Sequence, residues 1–535
     1  MDGRLLIIYG YLLLMIMIGF IFRRQAGKDR VEFYLAGRSL SLLPLFFTMA
    51  ATNFSAFTIF GFSGAGYRMG YAFYPVMGFG TAFMALSFHI IGSKISLLSR
   101  ERGYITPSDY VGDRYNSRFL KLLFSSVMIV FTLPYIAIQA IASGKSLNSL
   151  IGIPYLAGAL LITSTIVFYV ALGGMRSGVW ADVIQGVMMI AFTLAAFVLI
   201  ARKSGGFTAV HGALQRELPA HFSRPGTGNS MGPGIWLGYM LLWFFADPMF
   251  PQLFQRFMVA RDREAINGTV ILYPIVTTVL FFLTVSIGVM GRAAFPGLAA
   301  KETDSIFPLL LGKYASPLLG TLLLTGGLAA LMSTMDSQLL TLASMITVDF
   351  FRIKKKGVAI EKLTVLALGV VGFLIALRPP ETILDFINKT TFNGCAVLAP
   401  AVIGGLYMKK ANRYGAAASI LLGEGMVVLN YFNLTRLQGV HPIIPIMAVT
   451  VSAFLSVSAL TVSRGERTEL VFEVKRESLP WFLVFGGFFV MANDFWNWGK
   501  TPILALGLPL WVWYYAVLGL LLSLAYGVFL KKRPQ

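Results

Sequence analysis

Apolar stretches of about 20 residues follow one another through almost the whole of this 535-residue chain. A helix of that length crosses the ~30 Å hydrocarbon core of a bilayer. Backbone in lipid must satisfy its hydrogen bonds internally, so such a stretch has to be helical. Closed β-barrels are the other solution, but they need alternating segments of about 10 residues, and these stretches do not alternate. Fifteen spans are read, near 4–22, 40–66, 71–96, 118–147, 153–172, 179–201, 234–257, 268–292, 316–350, 361–378, 383–408, 413–432, 442–462, 480–497 and 503–530. No small-residue cleavage pattern follows the first, which therefore reads as a span and not as a signal peptide. The expected fold is an all-α polytopic membrane protein with about 15 transmembrane helices.

The charge sets an orientation. The chain carries a net +20, which on a soluble protein would suggest nucleic acid. With the N-terminus outside, 30 of the 44 Lys and Arg fall in the inner connections, the positive-inside pattern. The expectation is a multi-pass protein of the cytoplasmic (inner) cell membrane with its C-terminus in the cytoplasm. The basic excess then serves orientation and lipid contact, and no nucleic-acid partner is expected. There is one cysteine, Cys395, and four scattered histidines without a His-Glu-x-x-His motif. No intrachain disulfide, transition-metal site or nucleophile–base cluster is expected, so the chain does not read as an enzyme.

Two spans are interrupted. Residues 50–70, AATNFSAFTIFGFSGAGYRMG, mix Asn53, Ser55, Thr58 and Ser63 with Gly61, Gly64 and Gly66. Residues 243–258, WFFADPMFPQLFQRFM, place Pro248 and Pro251 after Asp247. Proline deletes a backbone donor and clashes with the preceding turn. In a membrane such breaks persist where protein or water satisfies the freed groups. The two breaks lie five spans apart, the sign of an inverted-repeat transporter with its site at the bilayer midplane. Of the hydrophilic segments, 202–233 reads as an outer surface loop and 463–479 as a charged boundary before the last two spans.

The ninth span holds AALMSTMDSQLLTLAS, residues 329–344. At 3.6 residues per turn, Ala330, Ser333, Thr334, Ser337, Thr341 and Ser344 share one face, with Asp336 at its edge. Hydroxyls alone can back-bond to their own helix. A charged Asp at the bilayer centre costs at least ~2.5–3.5 kcal/mol, so it needs a partner, a cavity or an ion. Carbonyls freed by the break in the second span, together with two hydroxyls, would make a cage for a hard cation such as Na⁺. Asp182, about one turn into the sixth span, reads equally as a helix-start residue and as a functional carboxylate. Asp247 adjoins the second break. Glu424 has no patterned company and reads as a packing or water-exposed residue.

With these residues assembled, about residues 5–460 resemble the sodium:solute symporter family. The resemblance is carried by FYLAGRSLSLLPLFFTMAATNFSA (33–56), GYITPSDYVGDRYNSR (103–118), ALGGMRSGVWADVIQGVMM (171–189), QRFMVARD (255–262) and AALMSTMDSQLLTLASMITVDFF (329–351). It implies a leucine-transporter-type fold of two inverted five-helix repeats. An N-terminal extra helix with its basic loop (1–39) is followed by the first repeat (40–202), the second (203–408), two additional helices (409–463) and a charged loop with a C-terminal helical hairpin (464–535). By motif position, the main sodium site falls on Ala51, Phe54, Ala330, Ser333 and Thr334. A second cation site falls on Asp182, Asp336 and Ser337. The members that have such a second site carry Ser where Asp336 stands, so this site reads as a cation site or a proton carrier. The solute site falls on Asn53, Thr58, Tyr135, Gln139, Trp243, Phe244 and Asp247.

The resemblance implies sodium-coupled import of a small organic solute by alternating access, by a monomer whose ligands are Na⁺ and that solute, with no cofactor. Its nearest members take a monocarboxylate, a pantothenate-like acid or an amino acid. A proton-coupled symporter of the same fold and a transporter-like sensor without transport are the alternatives. The last two spans are similar to small two-helix membrane proteins that accompany some symporters.

Overall fold

The computed structural model describes residues 2–26, 29–352, 358–379, 382–435, 437–461, 465–474 and 476–531. The basic residues at 353–357 and 532–533, counted above as inner charges, lie outside these. Each of the fifteen expected spans carries helix. Eleven described helical runs are long and apolar enough to cross a bilayer, and some of these hold more than one leg. The 49-residue run Tyr155–Lys203 would measure roughly 74 Å if straight, far more than a bilayer. Gly174 divides it with φ 58, ψ −150, a conformation closed to residues with a Cβ. The fifth and sixth spans are its two legs.

The second span is broken as its sequence requires. Its first half, Leu42–Asn53, ends at Phe54, and its second half resumes through Phe57–Gly61 and Phe62–Met69. The seventh is split into Pro233–Ala246 and Pro251–Val259 around Asp247–Met249. The ninth, Pro317–Ser344, runs through the middle of the molecule, and every residue from Leu323 to Ser344 is buried. A helix polar on one face and apolar on the others can be wholly buried only if other spans surround it and meet its polar stripe.

Two expectations about the periphery are corrected. The segment 202–233 is more than a surface loop. It forms a helix, Phe207–Glu217, and carries a fully buried arginine, Arg224, whose guanidinium lies 2.8 Å from Asp494. Trp236, Trp498, Trp511 and Tyr515 surround that guanidinium, so ring faces replace its water. The last expected span begins later than residue 503. Leu504–Ala505 pairs antiparallel with Leu508–Pro509, and the helix is Leu510–Lys531. It docks on Arg263–Ala294 and on the third span, where Ser523 donates to the Ile271 carbonyl and Tyr526 to that of Phe83.

Candidate functional site

The first break exposes backbone for a physical reason that can be traced atom by atom. In an unbroken helix the Ala56 N–H would bond the Thr52 carbonyl. Here it donates to Gln139 Oε1 at 3.0 Å, and the Phe57 N–H donates to the Ser55 hydroxyl at 3.1 Å. Gln139 is held in turn by donating to the Tyr135 carbonyl, and Tyr135 donates to Ser55 Oγ at 3.1 Å. The Thr52 carbonyl is thereby released from its own helix, and the Ala51 carbonyl lies just past the bond from the Phe54 N–H to Ala50 that closes this helix. Ser333 Oγ lies 2.8 Å from the Ala51 carbonyl and Thr334 Oγ1 lies 2.9 Å from that of Thr52. Both hydroxyls also reach the Ala330 carbonyl, at 3.0 and 3.2 Å. Five oxygens from two helices therefore meet in a buried interior. Turning two hydroxyl protons aside would present all five to a hard cation.

Among the residues expected here, Ala51, Ala330, Ser333 and Thr334 come together. Phe54 does so only through the chain turn, since its N–H closes the helix on Ala50 at 2.8 Å. Thr52, which no motif had singled out, supplies the carbonyl that Thr334 meets. A helix closed by the Phe54 N–H on Ala50 leaves the carbonyls of residues 51–53 without own-helix partners, and that signal could have found it.

One turn along the ninth span a different cluster stands. Ser337 Oγ lies 2.8 Å from Thr52 Oγ1 and donates to Asp336 at 2.9 Å. Tyr169 donates to the other Asp336 oxygen at 2.7 Å. Asp182 accepts from Thr48, and Arg256 lies 3.3 Å from the same carboxylate oxygen. Arg256 also donates to Thr48 at 2.8 Å and to Ser337. Asp182, Asp336 and Arg256 are each at most 1% exposed. Asp182, Asp336 and Ser337, expected as a second cation site or a proton carrier, thus come together around an arginine. The guanidinium of Arg256, from the motif QRFMVARD, already lies against Asp182 and Ser337. Buried carboxylates need a buried cation, and sequence spacing could not show that this one sits 74 residues away.

Between the two breaks lies an enclosed cavity lined by Asn53, Thr58, Tyr135, Trp243, Asp247 and Phe392, among others. It holds about 10 Å³, room for no more than one water. Asn53 Nδ2 joins Asp247 Oδ2 at 3.2 Å, linking the breaks directly, and also meets the Tyr273 hydroxyl. Asp247 Oδ1 and Trp243 Nε1 are buried without a partner among the described residues. Gln139 does not line this cavity; it braces the break behind it. Phe244 turns away, with its ring against Phe83. A wider vestibule of about 850 Å³, with Asn388, Asn393, Asn430, Asn433 and Gln438 on its walls, lies beyond. Tyr239 lines the vestibule and stacks on Trp243 at 6.2 Å, and Trp243 packs on Phe392 at 4.9 Å, so these rings divide the two spaces. No cluster of three or more metal-binding His, Cys, Asp or Glu occurs among the described residues.

The profile of the sodium:solute symporter family matches residues 33–423, well over half of the chain. The chain belongs to that family. It is a sodium-coupled solute symporter of the membrane, not an enzyme. It is 29% identical over 447 residues to the sodium/pantothenate symporter of Escherichia coli K12, covering 81% of this chain and 91% of that one. It is 27% identical over 491 residues to the osmoregulated proline transporter OpuE of Bacillus subtilis 168, covering 88% and 97%. Among solved structures it matches a Na⁺-coupled sialic acid symporter in a substrate-bound outward-open state, with TM-score 0.70 and 18% identity over 87% of this chain and all of that one. A nucleobase–cation symporter closed around bromovinylhydantoin matches with TM-score 0.58 and 13% identity, over 82% and 97%. These two establish the symporter's inverted-repeat fold.

Proposed function

We propose that this symporter imports a small organic acid or amino acid by alternating access, driven by one Na⁺ held between the broken second span and the ninth. The observation that carries this reading is the pairing of Ser333 and Thr334 with the released carbonyls of Ala51 and Thr52. A cation there ties the break to a fixed helix, and the same break carries Asn53 and Thr58 into the cavity. Ion and solute then stabilise the same shape, so each raises the affinity for the other by the same factor. A charge crossing 100 mV contributes ~2.3 kcal/mol, about 50-fold accumulation. Because the cavity holds about 10 Å³, the rings of Trp243, Phe250 and Phe392 must move as solute enters.

The relatives' substrates, pantothenate and proline, are the first candidates, with monocarboxylates beside them. In this reading the N-terminus is outside, the C-terminus is cytoplasmic, the halves 40–202 and 203–408 form the inverted repeats, and one chain suffices. The test is uptake of labelled pantothenate, proline and lactate into vesicles holding the purified protein, under a Na⁺ gradient, a K⁺ gradient or a pH gradient. Saturable uptake of one solute with Na⁺ alone is expected. Uptake that follows the pH gradient and ignores Na⁺ overturns the coupling.

A further inference from the structure

Beside the helix Pro107–Arg114 lies a cavity of about 570 Å³ that shares no lining residue with the candidate ion and solute sites. Five cations line it, Arg102, Arg118, Lys121, Arg352 and Arg467, against the carboxylates of Asp109 and Asp113. Three of the five are engaged. Lys121 pairs with Asp109 and lies 3.1 Å from the buried Asp349, Arg467 lies 3.0 Å from Asp113, and Arg102 lies 3.6 Å from Glu469. Arg118 and Arg352 are exposed and form no ion pair among the described residues. The cavity therefore keeps an excess of positive charge. The 34-residue helix Arg118–Ile151 also begins here and adds the positive end of its dipole.

The neighbours of the two free arginines identify the anion. Phe119 follows Arg118 and is 59% exposed; Phe351 precedes Arg352 and is 70% exposed. Both rings adjoin helices apolar enough to cross a bilayer, and the basic residues beside them are of the kind that lies at its surface. A soluble anion gains nothing from them. A lipid can set its phosphate between the guanidinium forks while its glycerol and upper acyl carbons cover the rings.

We propose that this cavity binds the phosphate headgroup of an anionic phospholipid, with Arg118 and Arg352 as its principal contacts. The bound headgroup joins the start of the fourth span, the end of the ninth and the segment bearing Arg467. It thus adds to the link that Asp349 makes by accepting from Thr106 at 2.8 Å and from Ser108 at 2.6 Å.

The experiment is thermal unfolding of the full-length protein in neutral detergent. It is titrated with water-soluble dihexanoyl-phosphatidylglycerol, dihexanoyl-phosphatidylcholine or inorganic phosphate. A ligand of the folded state shifts Tm in a saturable way. The phosphatidylglycerol is expected to raise Tm and the phosphatidylcholine to leave it unchanged. Arg118→Gln/Arg352→Gln should raise the half-saturating phosphatidylglycerol concentration at least about tenfold, the effect of losing ~1.4 kcal/mol of charge-assisted hydrogen bonding. Arg118→Lys/Arg352→Lys should retain part of the response. Three results overturn the proposal: an equal shift from phosphatidylcholine, an unaltered response in the glutamine pair, or an equal shift from inorganic phosphate, which would assign the cavity to a soluble anion. Native mass spectrometry of the unaltered protein in an equimolar lipid mixture makes the same comparison without a variant. Enrichment of phosphatidylglycerol adducts is expected, and equal adducts overturn the proposal. Neither Na⁺ nor transported solute enters these measurements, so their outcome is independent of the transport reading.

Discussion

The Ser333 hydroxyl meets the Ala51 carbonyl at 2.8 Å, across 282 positions of sequence. If these are cation ligands, removing one hydroxyl oxygen removes one ligand. Ser333→Ala and Thr334→Val should each raise the half-saturating Na⁺ concentration for uptake about tenfold, the equivalent of ~1.4 kcal/mol. Thr52→Val is the informative partner, because Thr52 contributes its backbone carbonyl to the cage and keeps it when the side chain changes. Its Na⁺ dependence should stay within about threefold of the unaltered protein. A Thr52→Val effect as large as that of Thr334→Val would move the ion to the Thr52 hydroxyl and away from this cage.

Arg256 lies against Asp182 at 3.3 Å with both side chains buried. Removing one member of such a pair leaves an uncompensated charge and costs ~3–5 kcal/mol, whereas removing both is far cheaper. Arg256→Met should therefore lower the unfolding temperature strongly. Arg256→Met/Asp182→Asn should recover most of the loss in the same thermal melt. A double variant no better than the single would show that the two side chains do not act as a pair.

Much of this site was readable before any coordinates. The stripe Ala330, Ser333, Thr334, Ser337 follows from helical period, and the breaks follow from the Gly and Pro punctuation, because both signals are local. What was not readable depends on long-range approach. Arg256 reads from sequence as an inner-loop charge, yet it folds back onto Asp182. Phe244 sits one residue from Trp243, and on a helix that single step of about 100° turns it from the cavity toward Phe83. Arg224, in a Gly- and Pro-rich stretch, reads as surface until the rings and the carboxylate that receive it arrive from residues 236–515.

His211, on the helix Phe207–Glu217, has Nδ1 2.8 Å from the Phe207 carbonyl and Nε2 2.8 Å from the Tyr71 hydroxyl. Burial pushes its pKa down to about 4 from 6.5. Between those values the unfolded chain binds the proton and the folded one does not. Stability from this group is thus complete above pH 6.5 and is lost as pH falls toward 4. The drop in unfolding temperature between pH 7 and pH 5 should be smaller in His211→Gln than in the unaltered protein. Equal drops would show that another group sets the slope.

Arg224 and Asp494 tie the segment 202–233 to the C-terminal hairpin. Arg224→Met leaves Asp494 buried, with Trp498 and Tyr515 still donating to it at 2.8 and 3.0 Å. A loss of ~3–5 kcal/mol is expected for the broken pair. Because Trp498 and Trp511 lie over the guanidinium, the same variant should shift tryptophan emission at temperatures where the bundle remains folded. Lost stability without any change in emission would show that the hairpin stays docked without the pair.

Gly66 and Gly288 bring the second half of the broken second span, Phe62–Met69, into backbone contact with the helix Arg263–Ala294. A Cβ on Gly288 would lie 2.0 Å from the Ser63 carbonyl oxygen, and one on Gly66 would lie 2.4 Å from that of Val285. Neither neighbour is a side chain that can rotate away, so a methyl group must push two helices apart. Gly288→Ala should cost ~1–3 kcal/mol, the range for overpacking a tight interior, and should reduce uptake because the break would no longer seat as it does now. Gly425 is the control within the same protein, since a Cβ there meets nothing within 4 Å. It lies inside the helix Arg413–Tyr431, where replacing glycine by alanine gains up to ~1 kcal/mol. Thermal melts and uptake of Gly288→Ala and Gly425→Ala should therefore move in opposite directions from the unaltered protein, or leave Gly425→Ala unchanged. If both variants behave alike, the close approach of the two helices is not what holds the second half of the broken span in place.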